Sequence, residues 1–284
     1  MAPVDPESEN RGGASREDAY SHPIYRETRL EVIRGYIRSG EWTRPTRAIG
    51  LGYTQAGFMA IPKSEAFDFM LFCQRNPKPC PLLDVTEAGD PVAPVVAPTA
   101  DLRTDIPKYR LFRRGELVEE VNDARGHWRE DLVGFVLGCS LTFDAALLAN
   151  DVPNRQLEER GGPTIYWTNI QCRPVGKFSS PMAVSMRPML PAQAIRAVQI
   201  TSRFPRTHGA PIHMGDPSLL GIKDITRPDV GIPVTIKPGE IPVFWACVAT
   251  VWEVAIRAKL DITITHAPGC MFITDLRDEH FAVL

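Results

Sequence analysis

The sequence predicts an α/β fold of mixed sheets with helices, arranged as two closely packed lobes, on three observations. The first is a repeated piece. FVLGCSLTF (135–143) is echoed by VFWACVATV (243–251): an apolar run, a small residue, a cysteine, and a threonine three positions on. The second is the helix-like continuation of each copy. Ala145, Ala146, Leu147 and Leu148 come after Thr142, and Val254, Ala255 and Ile256 come after Thr250 with Glu253 at capping-box spacing. Each copy then reaches an apolar strand with a polar pair, Thr168-Asn169 and Thr274-Asp275, so that cysteine and threonine stand 29 residues apart (139 to 168) and 27 apart (247 to 274). This reads as a diverged duplication of a strand–Cys–loop–helix–strand unit. The third is proline, 26 of 284 residues against an average of about 5%, which calls for many shaped loops.

Taken in order, residues 1–22 are polar and poor in large apolar groups, the composition of a disordered tail. Leu30, Ile33, Tyr36 and Ile37 recur at helical spacing up to Gly40. The glycine-bearing stretch 51–57 matches no phosphate-loop pattern. Ser64 is placed to cap a helix carrying Phe67, Met70 and Leu71 that stops before Asn76-Pro77. Residues 76–83 are too proline-rich for a helix and run extended into a short strand, and 87–100 form an exposed connector. A hairpin spans 109–118. After the first cysteine unit come a buried strand at 182–186 and a helix with Pro191 in its first turn, ending near Arg203-Phe204-Pro205. A strand near 234–236 turns at 237–240 into the second cysteine unit, and a last strand pair surrounds 265–270. Residues 23–284 therefore form one catalytic unit of two lobes, roughly 23–125 plus 225–284, and 126–224.

Composition narrows the function classes. A formal charge of −2 without a basic cluster argues against a nucleic-acid surface. No run of 18 apolar residues and no signal-like N-terminus is present, so a cytoplasmic protein without membrane contact is expected. Six cysteines without a CxxC pair exclude a zinc ribbon and read as reduced thiols. The partner expected is a small-molecule carboxylate, with a homodimer as an option, and no cofactor.

Four loops can carry chemistry. Cys139 and Cys247 each end a strand where a helix begins, a crest whose free N–H groups suit an anion and whose thiol can have a lowered pKa; the alternative is two buried core cysteines. Arg187 directly follows an apolar strand, where it either forks onto a substrate carboxylate or pairs with a buried acid. His208, His213 and Asp216 share a Gly- and Pro-punctuated loop. There a histidine could move protons, tie the loop down through hydrogen bonds, or with Asp216 hold a metal, although no four-ligand spacing is evident. His266, beside Pro268 and Gly269, is a further candidate. The expected catalytic set is His213, His208, Cys139, Cys247 and Asp216, with no metal. The expected substrate contacts are Arg187, Ser140, Thr168, Asn169, Arg203 and His266. Arg103, between Asp101 and Asp105, is expected to satisfy its own neighbours.

The pieces NPKPCPLL (76–83), DLRTDIPKYR (101–110), GCSLTFDAAL (138–147), VSMRP (184–188), ITSRFPRTHGAPIHMGDP (200–217), GEIPVFWAC (239–247) and THAPGCMFITD (265–275), in this order, resemble the D-glutamate cyclase family, whose bacterial members carry a hydro-lyase label. The resemblance covers nearly all of the chain after the tail. It implies a two-lobed α/β fold and water loss from a small amino or hydroxy acid, in the characterised branch the closure of D-glutamate to 5-oxo-D-proline. The alternative is a non-catalytic carboxylate-binding protein that keeps the pocket. This sequence departs from the family pattern at three places: Cys270 stands for a usual His, 248–250 read Val-Ala-Thr for Gly-Val-Thr, and 55–57 read Gln-Ala-Gly for Gln-Ala-Asn.

Overall fold

The computed structural model describes residues 21–159 and 161–283; the expected tail lies almost wholly outside them. Helix α1 (Leu30–Arg38) precedes the central strand β1 (Tyr53–Pro62), which passes directly into α2 (Lys63–Arg75) and then β2 (Leu82–Val85). The hairpin β3 (Tyr109–Arg113) and β4 (Glu116–Val121) forms as expected, followed by β5 (Leu132–Gly138), α3 (Asp144–Leu148), α4 (Arg155–Glu158) and β6 (Thr164–Gln171). Next come β7 (Pro181–Met189), α5 (Pro191–Thr201), β8 (His213–Met214), β9 (Val230–Gly231), β10 (Ile241–Ala246), α6 (Thr250–Ala258), β11 (Thr263–His266) and β12 (Phe272–Arg277).

The fold is mixed α/β, with these six helices set on two antiparallel sheets. One sheet has the order β2-β5-β1-β11-β3-β4, with β12 also on β1; the other has the order β8-β10-β7-β6-β9. The strands change sheets between residues 138 and 164 and again between 246 and 263, so the partition differs from lobe limits near 125 and 225. Within both sheets one four-strand order recurs, β2-β5-β1-β12 and β8-β10-β7-β6, antiparallel throughout. The cysteine strands β5 and β10 are counterparts in it. So are the polar-pair strands β12 and β6, each lying in the sheet opposite its own cysteine strand. The structure shows this correspondence of topology; common descent of the two halves is a proposal beyond it.

The main core lies between the sheets. Met59, Ile61, Phe135 and Leu137 from one sheet meet Ile165 and Ala183 from the other, with Phe69 and Phe72 of α2 and Val251, Val254 and Ala255 of α6. The other face of β1, with Ala56, Phe58 and Ala60, is covered by 93–106. That segment is no exposed connector: Ala93, Val96, Ala97 and Ala100 are buried, and Asp84 Oδ2 accepts from the N–H groups of Val95 and Val96 at 2.7 and 3.0 Å.

Local signals were misread where tertiary contacts claimed the side chain. Pro62, not Ser64, precedes α2. Thr250 makes no capping box. Buried, it donates to Cys247 O at 2.8 Å and accepts from Ala183 N–H at 3.0 Å, stitching the end of β10 to β7, while Glu253 pairs with Arg257. Thr142 likewise donates to Gln55 O on β1 at 3.3 Å instead of capping α3. The strand expected at 234–236 is absent; β9 lies a few residues earlier.

Candidate active site

The two cysteine crests meet. Cys139 and Cys247 line one cavity of about 60 Å³ together with Ser140, Arg187 and His266, all singled out in the sequence. Each crest is built the same way: Thr142 N–H donates to Cys139 O at 3.2 Å, and Thr250 N–H to Cys247 O at 3.1 Å. Glycine lets a neighbouring segment pack closely against each crest. A Cβ at Gly138 would lie 2.2 Å from Arg206 O, and one at Gly57 would lie 2.5 Å from Val248 Cγ2. Two of the departures from the family pattern, Gly57 and Val248, thus face each other: Val248 fills space that a side chain at 57 would need. The third, Cys270, is buried beside the cavity residues Gly269 and Met271.

The expectation of an activated thiol is corrected. Burial pushes Cys139 up to about 11 against a backbone hydrogen bond from Leu141. Burial, then the neighbouring Cys139, pushes Cys247 up to about 12 against one from Ala249. Both are neutral thiols near pH 7, an uncharged wall rather than thiolate nucleophiles.

Charge comes from a triad of which the sequence offered one member. Arg187 is 1% exposed near the end of β7. Its Nη1 stands 2.6 Å from Asp144 Oδ1, an ion pair not aligned as a hydrogen bond, and its Nη2 donates to Ser140 O at 3.2 Å and Ser140 Oγ at 3.3 Å. The guanidinium carbon lies 5.0 and 5.3 Å from the ring centroids of Phe143 and Trp245. Asp144 Oδ2 accepts from Arg47 Nη1 at 2.7 Å, and among the described residues that is Arg47's only hydrogen-bond partner. The buried acid left open as a partner for Arg187 is therefore Asp144. Burial chiefly, and Arg47 as well, lower the Arg187 pKa, while Asp144 raises it. Ser185, two residues before Arg187 on the same face of β7, and Gln156 complete the polar wall. Trp252 closes an apolar side, its Nε1 donating to His266 O at 3.0 Å. The His266 ring is held through Nδ1 by the backbone of Phe58, and burial depresses its pKa to about 4.

The histidine loop does not join this cavity. In β10, Val243 pairs with Arg187 and Phe244 with His213, and successive strand residues point to opposite faces. His213 therefore lies against Phe244, its ring tilted by 34°, across the sheet from Arg187, with its Nε2 2.8 Å from Asp216 O. Asp216 is exposed and caps a short 3₁₀ turn, accepting from Ser218 N–H at 2.9 Å. His208 is buried with φ 82°, its Nδ1 2.6 Å from Lys78 O, in a loop packed behind Gly138. Burial holds it at about 4. Thr168 donates to Met182 O at 2.8 Å and Asn169 to Leu219 O at 3.3 Å, and Arg203 is exposed beyond α5; none of the three lines the cavity. Arg103 pairs with Asp101 at 2.7 Å, as read from sequence. Among the described residues no three His, Cys, Asp or Glu are grouped to hold a metal, and no helix is long and apolar enough to cross a membrane.

Of the residues missed, Ser185 was reachable, since the period of two puts it on the Arg187 face. Asp144 lay in the quoted GCSLTFDAAL piece. Arg47 and Gln156 carried no local signal; they are brought in by the loop before β1 and by the short helix α4.

Residues 133–275 match the sequence profile of the D-glutamate cyclase family. This chain is 58% identical to a protein of Geobacillus kaustophilus over 88% of this chain and 95% of that one, and 54% identical to one of Bacillus licheniformis over 91% and 98%. A Bacillus subtilis relative is 52% identical over 89% and 98%. Each carries the name "Putative hydro-lyase". The chain belongs to the D-glutamate cyclase family. That places it in a hydro-lyase family, and all of the cavity lining except Pro45 and Arg47 lies inside the matched segment. Among solved structures, a nitrogen repressor-like protein of Methanococcus jannaschii aligns over 74% of this chain and 80% of that one, at a TM-score of 0.35 and 12% identity, too distant to bear on fold or function.

Proposed function

We propose that the cavity binds a small amino acid by its carboxylate and removes water from it, in its specific form closing D-glutamate to 5-oxo-D-proline. The observation that supports this reading is the charge count at the wall. Two guanidiniums, Arg47 and Arg187, face one carboxylate, Asp144, so one positive charge is left over. The excess lies on Arg47, half-buried and 16% exposed at its side chain, where a matching anion is favourable because water screens the charge only in part. A substrate carboxylate matches it, and Arg47 has donors free to fork onto that group.

Closure forms a bond from the amino nitrogen to the side-chain carboxyl carbon. The ammonium gives up two protons, and one carboxyl oxygen takes up two and departs as water. The neutral His266 ring supports a proton relay, and the start of α6 at the Cys247 crest supports the oxyanion of the tetrahedral intermediate. Neutral thiols and Trp252 keep the wall dry, which strengthens both effects. The cavity, about 60 Å³, is partly open, so a five-carbon substrate extends toward the rim, where Pro45 is exposed and Gly161 and Gly162 are half-buried.

Incubating the purified protein with D-glutamate, L-glutamate and 2-hydroxyglutarate, and following water loss by mass spectrometry, tests the reading. Conversion of D-glutamate is expected, with Arg47→Met raising KM more than it lowers kcat. Binding without water loss from any of them would favour the carboxylate-binding alternative, and no binding would end both.

A further inference from the structure

Two residues that line the cavity each carry a buried polar atom without a protein partner: Gln156 Oε1 and Ser185 Oγ. Gln156 is 2% exposed. Its amide orientation is fixed by its neighbours. Nε2 donates to Met186 O at 2.7 Å, a carbonyl that can only accept, and reaches Thr164 Oγ1 at 3.5 Å, whose own proton goes to Ile232 O at 2.8 Å. Both amide protons are thus spent on protein atoms, and Oε1 of this cavity-lining residue is left as a pure acceptor. A buried acceptor without a donor is costly, and native proteins carry few of them. Ser185 stands on β7 on the same face as Arg187, about 7 Å along the strand from it at two residues' rise. The lining therefore has an anion-seeking part, at Arg47 and Arg187, and a donor-seeking part, at Gln156 and Ser185, with Ser185 two residues along β7 from Arg187.

We propose that Gln156, assisted by Ser185, is the specificity-determining residue of the site, accepting hydrogen bonds from the substrate's amino group. This rests on the cavity being the site described under Proposed function. It assigns the preference for an amino acid over an acid that lacks the nitrogen to two named atoms. Rejection is built in: an analogue without the amine would bury Oε1 unsatisfied, the situation in which polar sites discriminate most strongly.

The test is calorimetric binding of two probes, D-glutamate and glutarate, which differ only in the amino group. Wild-type protein is expected to bind D-glutamate the more tightly. In Gln156→Met, of similar length and without the acceptor, D-glutamate binding should fall by about ten- to a hundredfold, the range for a hydrogen bond to a charged group, while glutarate binding stays the same or tightens. Ser185→Ala should shift the same ratio in the same direction by a smaller factor, and it keeps the test open should Gln156→Met fail to fold. Equal loss of both probes, or an unchanged ratio in the folded variants, would overturn this inference and leave the carboxylate site standing. Failure of the wild type to bind either probe would remove the site reading and this inference with it.

Discussion

The Cys139 crest and the Cys247 crest share a backbone design and divide the work between them. Both present a thiol raised by burial, both return a threonine N–H to the cysteine carbonyl, and both tie that threonine's hydroxyl to the neighbouring strand. Behind each lies a buried histidine held near 4: His208 in the loop behind Gly138, and His266 against Trp252. The difference is in what surrounds them. The first crest runs through a 3₁₀ turn into the five-residue α3 and carries Asp144, to which Arg187 and Arg47 are pinned. The second runs into the nine-residue α6 and is otherwise apolar, with Val248, Ala249 and Trp252. One scaffold used twice thus gives a charged wall and a dry wall with a helix start. Under the proposed reading the charged wall binds the acid and the dry wall keeps water out.

Removing the charge from the first crest should have the largest effect. Asp144→Asn leaves two guanidiniums without a counter-ion, one of them fully buried, and should cost about 3–5 kcal/mol, read as a shift of the denaturant midpoint. A loss under 1 kcal/mol would mean that the triad is not what holds this wall.

Acid should strain both crests together. His208 and His266 have pKa values depressed to about 4 from an unfolded value near 6.5, so each contributes stability that is fully present above about 6.5 and lost as pH falls through about 4, on the order of 3 kcal/mol each. Asp278 works the other way. Burial first, and then Glu279, raise it to about 7, so its contribution grows as pH falls from 7 toward 4. Asp278→Asn should therefore steepen the acid decline in stability measured between pH 7 and 4.

The second crest can be tested by overpacking. Gly57→Ala drives a Cβ against Val248 and should cost about 1–3 kcal/mol. Val248→Gly in the same chain should recover most of this, so a double-mutant cycle that proves additive would break the proposed contact between the two departures.

Smaller effects are expected from the thiols. Cys139→Ala and Cys247→Ala should each lower turnover by less than about tenfold, and alkylation of either should accelerate only well above pH 9, because a neutral buried thiol is a poor nucleophile. Least of all should come from His213→Ala. It lies across the second sheet from Arg187, and kcat/KM should be unchanged within error.

Much of the frame was legible from residues. Helical spacing at 30–37, Pro191 at a first turn, the hairpin at 109–118 and the break at Asn76-Pro77 all act within a few positions, and the structure carries them. β1 was not legible, although it is the centre of its sheet. Gly57 lies within it and Pro62 ends it, so the stretch carries no clear strand signal until β5, β11 and β12 pair with it. Thr142 and Thr250 show the same limit from the other side: both have the chemistry of helix caps, and both were taken by a neighbouring strand.

The site divides along the same line. The sequence by itself determined that two cysteine crests exist, that Arg187 sits where a bare charge cannot, and which family motifs the chain carries. Only the tertiary structure decided that both crests line one cavity, that Asp144 and Arg47 complete the arginine's charge, and that Gln156, in the same lining, keeps an unpaired carbonyl oxygen. It also decided that His213 and Asp216 are elsewhere. The physical reason is the strand's period of two together with the register between strands. Adjacent residues of β10 send Arg187 and His213 to opposite faces, and nothing within either segment records which partner its strand will find.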